Sequence, residues 1–307
     1  MENWIGFAVL VVVALVLDLG VFQRKSHKMK LKEAALFSLF WVSLGLIFNV
    51  WVYYSRGGEP AMTFLTAYLV ELSLSVDNLF VFLMLFSYFK VPEKLQHRVL
   101  FWGIIGAVVM RAIFIVAGIA LINKFHWLLY VLGGFLVFVG IRMMFKSDED
   151  VHPENNPMLI LLRKVVPVTP DYREGKFIVH EEGKWWVTPL FVVLIAVETT
   201  DVIFAVDSIP AVLAISLDPY IVFTSNIFAI LGLRSFFFLL SGIMPFFHYL
   251  HYGVSAILIF IGIKMLGSSY FHVPIAITLS LMATLIFGSV ALSLLMPPKD
   301  AKSKAKK

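Results

Sequence analysis

Runs of about 20 apolar residues, each the length that crosses a bilayer, recur nine times along this chain. They fall near residues 4–22, 34–53, 62–88, 99–122, 126–145, 188–214, 220–243, 247–266 and 273–296. In hydrocarbon every backbone N–H and C=O must be satisfied within the protein, so such runs have to be helices. The expected fold class is an all-α polytopic membrane protein with about nine transmembrane helices. Composition agrees. The 307 residues are 60% hydrophobic and 15% charged, and the mean hydropathy is +0.89, far too apolar for one soluble domain. There is no cysteine, which excludes thiol redox chemistry, disulfides and thiolate metal sites. The first run opens Met1-Glu2-Asn3 without a basic n-region or a small-residue cleavage site, so it reads as a retained helix.

The net charge of +5 does not point to nucleic acid, because the basic residues gather in short loops that set orientation. The loop from Arg24 to Lys32, the loop with Lys90, Lys94 and Arg98, and the tail from Lys299 to Lys307 all read as cytoplasmic. An odd number of spans then places the N-terminus outside and the C-terminus inside. The division is a first membrane half over 1–145, a connector over 146–187, a second half over 188–296 and a basic tail over 297–307. In the connector, 158–166 reads as a short interfacial helix. Residues 176–186 alternate around Gly183 as a small hairpin.

Ionisable groups inside the apolar runs cost about 2.5–3.5 kcal/mol each on insertion scales, so they mark function or partners. The sixth run carries Glu198, Asp201 and Asp207; the third carries Glu71 and Asp77. Set Asp201 against Glu71, and six residues later Asp207-Ser208 falls on Asp77-Asn78. Further markers follow in the same order. Arg111 and Arg234 lie in the next runs, and Phe138-Val139-Gly140-Ile141-Arg142 and Phe260-Ile261-Gly262-Ile263-Lys264 end the ones after. Spans 3–5 (62–145) therefore repeat as spans 6–8 (188–266), with opposite orientations by the loop charges. The expectation is an inverted three-helix repeat with its acids facing one another near the midplane.

Glu198 and Asp201, three apart, share a helix face, but Asp207 lies about 120° away from Asp201. Pro210 cannot donate to the carbonyl of Val206, so a kink or break is expected there, freeing a carbonyl beside Asp207. In the first repeat Ser73, Ser75 and Asn78 could bond the backbone or line the site. The candidate metal ligands are Glu71, Asp77, Asn78, Glu198, Asp201 and Asp207, with Ser75, Ser208 and Pro210 in support. Carboxylate, amide, hydroxyl and carbonyl oxygens without nearby His select hard cations, namely Mn²⁺, Mg²⁺ or Ca²⁺. Crowded carboxylates would also couple metal binding to proton release, making protons the counter-ion. Arg111 and Arg234 either neutralise carboxylates structurally or hold an acid until a cation arrives. Asp18 is either an interfacial cap or a vestibule ligand. His248 and His251 read as solvated loop residues.

These residues resemble the TerC family of integral membrane proteins. The resemblance rests on Val70-Glu71 through Asn78, Val197-Glu198 through Ala211, Thr224-Ser225-Asn226 through Arg234, and Leu17-Asp18-Leu19-Gly20-Val21-Phe22. It implies a lysine-exporter-like fold in a bacterial inner membrane and export of Mn²⁺, with ties to metal and tellurium stress. It puts the six ligand candidates at the family's acidic motif positions and adds Asn226 to the supporting set.

The leading expectation is a secondary transporter, not an enzyme and without a resident cofactor, that exports Mn²⁺ as substrate against protons. Ca²⁺ export is an alternative. A second is a membrane partner in metal delivery or a stress complex, without transport of its own. Expected partners are the divalent ion, protons and membrane lipid, with a homo-oligomer or exported metalloproteins on the protein side.

Overall fold

The structure, a computed structural model, describes residues 2–22, 31–145, 166–181, 183–243, 249–268, 270 and 273–295. All but the last residue of the interfacial helix expected at 158–166, the Arg24–Lys30 stretch, His248 and the basic tail lie outside the described residues. The helices are α1 (Glu2–Phe22), α2 (Leu31–Arg56), α3 (Gly58–Tyr88), α4 (Glu93–Lys124), α5 (Leu128–Phe145), α6 (Pro189–Leu213), α7 (Pro219–Leu231), α8 (Leu233–Ile243), α9 (Leu250–Leu266) and α10 (Ile275–Leu295). A two-stranded hairpin, β1 (Ile178–Glu181) and β2 (Lys184–Val187), precedes α6. Among the described residues six helices are long and apolar enough to cross a membrane, or seven counting α7 and α8 as one bent span. Residues Trp4–Ala14 of α1 and all of α9 are shorter apolar helices.

Local chemistry explains the boundaries. Gly57, at φ 97°, turns the chain between α2 and α3 in one residue, a conformation open to glycine at little cost. Asp218 caps α7 by accepting from the Tyr220 N–H at 2.9 Å, with Pro219 in the first helical position. Its carboxylate also meets Arg56 at 2.7 Å, joining the end of α2 to the start of α7.

The break expected at Pro210 does not occur there. α6 continues through Pro210 to Leu213 as one helix. Pro210 lacks the N–H that would reach the Val206 carbonyl, but the helix continues past this single missing bond, with Ala214 N–H donating to the Pro210 carbonyl at 2.9 Å. The broken span lies one helix later. α7 and α8 meet at Gly232 with a bend of 44°. The whole neighbourhood, from Thr224 to Ser235, is buried in protein, which is where interrupted backbone is tolerated at membrane depth.

Helices α5 and α9 cross closely. A Cβ on Gly262 would lie 2.6 Å from the Gly133 carbonyl oxygen, and one on Gly140 would lie 2.9 Å from that of Ser255. Rising along α5 from 133 to 140 meets α9 falling from 262 to 255, so the two run antiparallel. Small residues at such a crossing let backbones approach where lipid supplies no hydrophobic drive. Elsewhere α1, α2, α3 and α7 share an aromatic cluster in which Phe48 and Phe228 lie 4.7 Å apart, with Phe7 and Phe64 buried beside them.

The described part of the connector is pinned to both halves. Tyr172 donates its hydroxyl to the Phe89 carbonyl at 2.6 Å, and burial pushes that phenol above its ordinary pKa. Arg98 donates to the Gly175 carbonyl at 2.6 Å, and Thr188 Oγ1 to that of Lys176 at 2.6 Å. The module thus rests on the α3–α4 turn and runs into α6 with only Thr188 between.

Candidate metal centre

Helix α3 packs against both α6 and α7, and α4 against α6, which brings the motif-bearing segments of the two halves together. At their meeting point Arg111 of α4, 1% exposed, donates Nη1 to Glu71 Oε2 at 2.6 Å and Nη2 to Asp201 Oδ1 at 3.5 Å. Glu71 is 1% exposed and Asp201 4%. The short bond is charge-assisted and strong. The group is also expensive to disturb, since removing one partner of a buried ion pair costs about 3–5 kcal/mol. With both carboxylates ionised the triad carries one excess negative charge, so it attracts a further cation. Arg111 thus lies between the two acids that align with each other in the sequence, an arrangement that both readings of it require.

The faces around these acids match. Glu71, Ser75 and Asn78 follow the i, i+4, i+7 spacing on α3, and Asp201, Ala205 and Ser208 follow it on α6. All six are buried. Glu71 Oε1, Ser75 Oγ, Asn78 Nδ2, Ser208 Oγ and Asn226 Oδ1 are buried without a hydrogen-bond partner among the described residues. Ser73 instead spends its hydroxyl on the Leu69 carbonyl at 2.7 Å. Unpartnered buried polar atoms are uncommon and costly; the four oxygens among these suit a site that a hard cation or its water completes, whereas Asn78 Nδ2 is a donor and calls for an acceptor.

The remaining candidates are placed less centrally. Glu198 is half-buried and projects to α4, where its carboxylate fills the space that a Cβ on Gly106 would take. Asp207 is half-buried toward the end of α6, off the Asp201 face as helix geometry requires. Arg234 is 2% exposed, two residues after the Gly232 break. The side chains of Asp77 and Asp18 lie outside the described residues. His251 sits in the first turn of α9, half-buried, its ring 3.9 Å from that of Tyr252, so it is not a solvated loop residue. Among the described residues no three His, Asp or Glu side chains converge as a metal cluster. The cavity lined by Asp201, Leu79, Gly103 and Leu233 measures about 10 Å³, room for about one water.

Two residues escaped the sequence reading. Gly106 and Gly232 are glycines inside apolar spans, and such glycines mark close approach or a break.

A family model described as the integral membrane protein TerC family matches residues 56–301. An uncharacterized membrane protein of Myxococcus xanthus is 48% identical, covering 97% of this chain and 95% of its own. The Alx proteins of Salmonella typhi and Escherichia coli K12, each named as a candidate membrane-bound redox modulator, are 49% and 46% identical. Those matches cover 95% of this chain and 92% and 93% of theirs. No solved structure matches this chain.

Proposed function

Because the chain belongs to the TerC family of integral membrane proteins, we propose that it is a secondary transporter that exports divalent cations, with Mn²⁺ as cargo and protons as counter-ion. The observation that carries this reading is the buried bridge from Arg111 to Glu71 and Asp201. One guanidinium holds the equivalent acid of each half. A divalent cation entering between the two carboxylates competes for the same oxygens, and its charge displaces what Arg111 supplies. The acids are then either joined through arginine or joined through metal, and switching between the two is coupled to which half-to-half arrangement is favoured.

In this reading the chain crosses a bacterial inner membrane nine times, N-terminus outside and C-terminus inside, with α3–α5 and α6–α9 as inverted repeats. The α5–α9 crossing supports the inversion. Gly133 and Ser255 hold equivalent places in the repeat, as do Gly140 and Gly262, and the contacts run 133 to 262 and 140 to 255. That exchange is what a two-fold axis lying in the membrane plane generates. Glu71, Asp77, Asn78, Glu198, Asp201 and Asp207 then supply oxygens along the cation path, and Ser75, Ser208 and Asn226 supply neutral ones. A chain without cysteine has no thiol with which to act on redox partners. An influence on redox balance of the kind named for the Alx relatives would therefore pass through the metal.

The test is Mn²⁺ movement in proteoliposomes under an imposed pH gradient, for wild type and for Asp201→Asn. Gradient-driven flux that is lost in the folded variant supports the proposal. Folded wild type that moves none of Mn²⁺, Mg²⁺ or Ca²⁺ sinks it, and the metal-delivery partner becomes the leading reading.

A further inference from the structure

The hairpin ahead of α6 leaves two large apolar side chains on one face, Ile178 and Trp185, exposed among the described residues. The register pairs Ile178 with Val187, Val179 with Trp186, His180 with Trp185 and Glu181 with Lys184. Paired residues share a side and successive pairs alternate. One side therefore carries Val179, Trp186, Glu181 and Lys184. There Val179 is buried, and Glu181 is engaged by Arg173 at 2.9 Å. The other side carries Ile178, Val187, His180 and Trp185; Val187, next to α6, is buried, whereas Ile178 is 50% and Trp185 67% exposed. The His180 ring lies 4.9 Å from that of Trp185, edge to face. Lys176, two residues before Ile178, is exposed as well.

We propose that this face is an interfacial anchor, seated in the lipid headgroup layer where α6 enters the membrane. Tether length supports that occupant. α6 has 25 residues and, at about 1.5 Å each, outreaches a hydrocarbon core about 30 Å thick, so its end reaches the headgroups. Only Thr188 separates α6 from β2. The junction is stiff, because Thr188 donates its N–H to the Phe177 carbonyl and its hydroxyl to that of Lys176. The hairpin thus stays at the bilayer surface. The chemistry matches as well: a Trp with an apolar body and a polar N–H, an Ile beside it, and a Lys and a His able to meet phosphate. A Trp at this place costs nothing in water-facing solubility if the headgroup layer covers it, whereas an uncovered Trp–Ile face invites association. Seating the hairpin fixes the module that Tyr172 and Arg98 pin to the α3–α4 turn, and through it the adjoining ends of α3, α4 and α6. The inference stands apart from the transport proposal, since it needs only that α6 spans the membrane.

The absence of cysteine makes a single introduced thiol a unique probe. Trp185→Cys and Lys184→Cys, on opposite sides of the hairpin, are each labelled with an environment-sensitive fluorophore in the full chain. They are placed in phosphatidylcholine–phosphatidylglycerol nanodiscs, with and without headgroup-spin-labelled lipid. The expected result is loss of most emission by the lipid quencher and shielding from aqueous iodide at 185, with the reverse at 184. Equal iodide access at both positions with no lipid quenching overturns the proposal. So does a position 185 that is shielded from iodide yet untouched by the lipid quencher, because a protein surface would then be the occupant.

Discussion

The helix carrying the arginine is continuous in one half of the molecule and broken in the other. α4 runs unbroken from Glu93 to Lys124 with Arg111 near its middle. Its counterpart divides at Gly232 into α7 and α8, bent by 44°, two residues before Arg234. The markers around the two arginines follow the same order, so a shared pattern of residues does not impose a shared backbone. What differs is the residue two positions earlier, Val109 in the first half and Gly232 in the second. A continuous helix holds its arginine rigidly between Glu71 and Asp201. A break in a buried segment instead offers a place where two helix halves can reorient.

The largest effect should come from the rigid half. Arg111→Gln strands two buried carboxylates and should cost about 3–5 kcal/mol, read as loss of thermal stability in detergent. Restoring neutrality with Glu71→Gln and Asp201→Asn in the same chain should recover much of that loss. If Arg111→Gln alone is as stable as wild type, the rigid clamp is not what distinguishes the first half.

Next is the crossing that joins the halves. Gly262→Leu drives a side chain at the Gly133 carbonyl, already only 2.6 Å from a Cβ. Backbone cannot yield as a side chain can, so a loss of about 1–3 kcal/mol is expected from overpacking. Gly134, which has nothing within 4 Å of a Cβ, should accept Ala with a change well under that. Comparing the two unfolding midpoints isolates the crossing from helix propensity, which alone would make both substitutions favourable by up to about 1 kcal/mol.

A smaller effect is expected at the break itself. Ala at Gly232 gains about 1 kcal/mol of helix propensity. Its Cβ, however, meets the Phe236 ring at 2.7 Å and the Trp41 Cβ at 3.4 Å. The two effects should nearly cancel in stability, while Mn²⁺ flux falls if reorientation at the bend is needed for turnover. Unchanged flux with a straightened α7–α8 would remove the break from the mechanism and with it the functional side of the comparison.

The smallest effect should be at the partly exposed Arg56–Asp218 pair, whose side chains are 31% and 41% exposed. Asp218→Asn keeps a capping oxygen for the Tyr220 N–H and loses only a screened ion pair, worth about 0.2–1 kcal/mol. The loss should shrink further in high salt, whereas the Arg111 effect should persist there.

Much of this architecture could be read one residue at a time. Apolar runs of spanning length, acids within them and two arginines in matching order are local facts, and the bilayer allows such runs one secondary structure. The cost of burying charge likewise requires partners for Glu71, Asp201 and Arg111 before any coordinates exist. Which partner each acid takes is a different matter. Arg111 is 40 residues from Glu71 and 90 from Asp201, and no local pattern specifies who meets whom across such separations. Tertiary packing decided that Arg111 bridges the two halves, that Glu198 turns aside to the gap at Gly106, and that α5 and α9 cross on reciprocal small residues. It also moved the break from Pro210 to Gly232. A proline's missing N–H is the loss of one local bond, which the helix continues past, whereas a bend of 44° takes shape only among the helices packed around it.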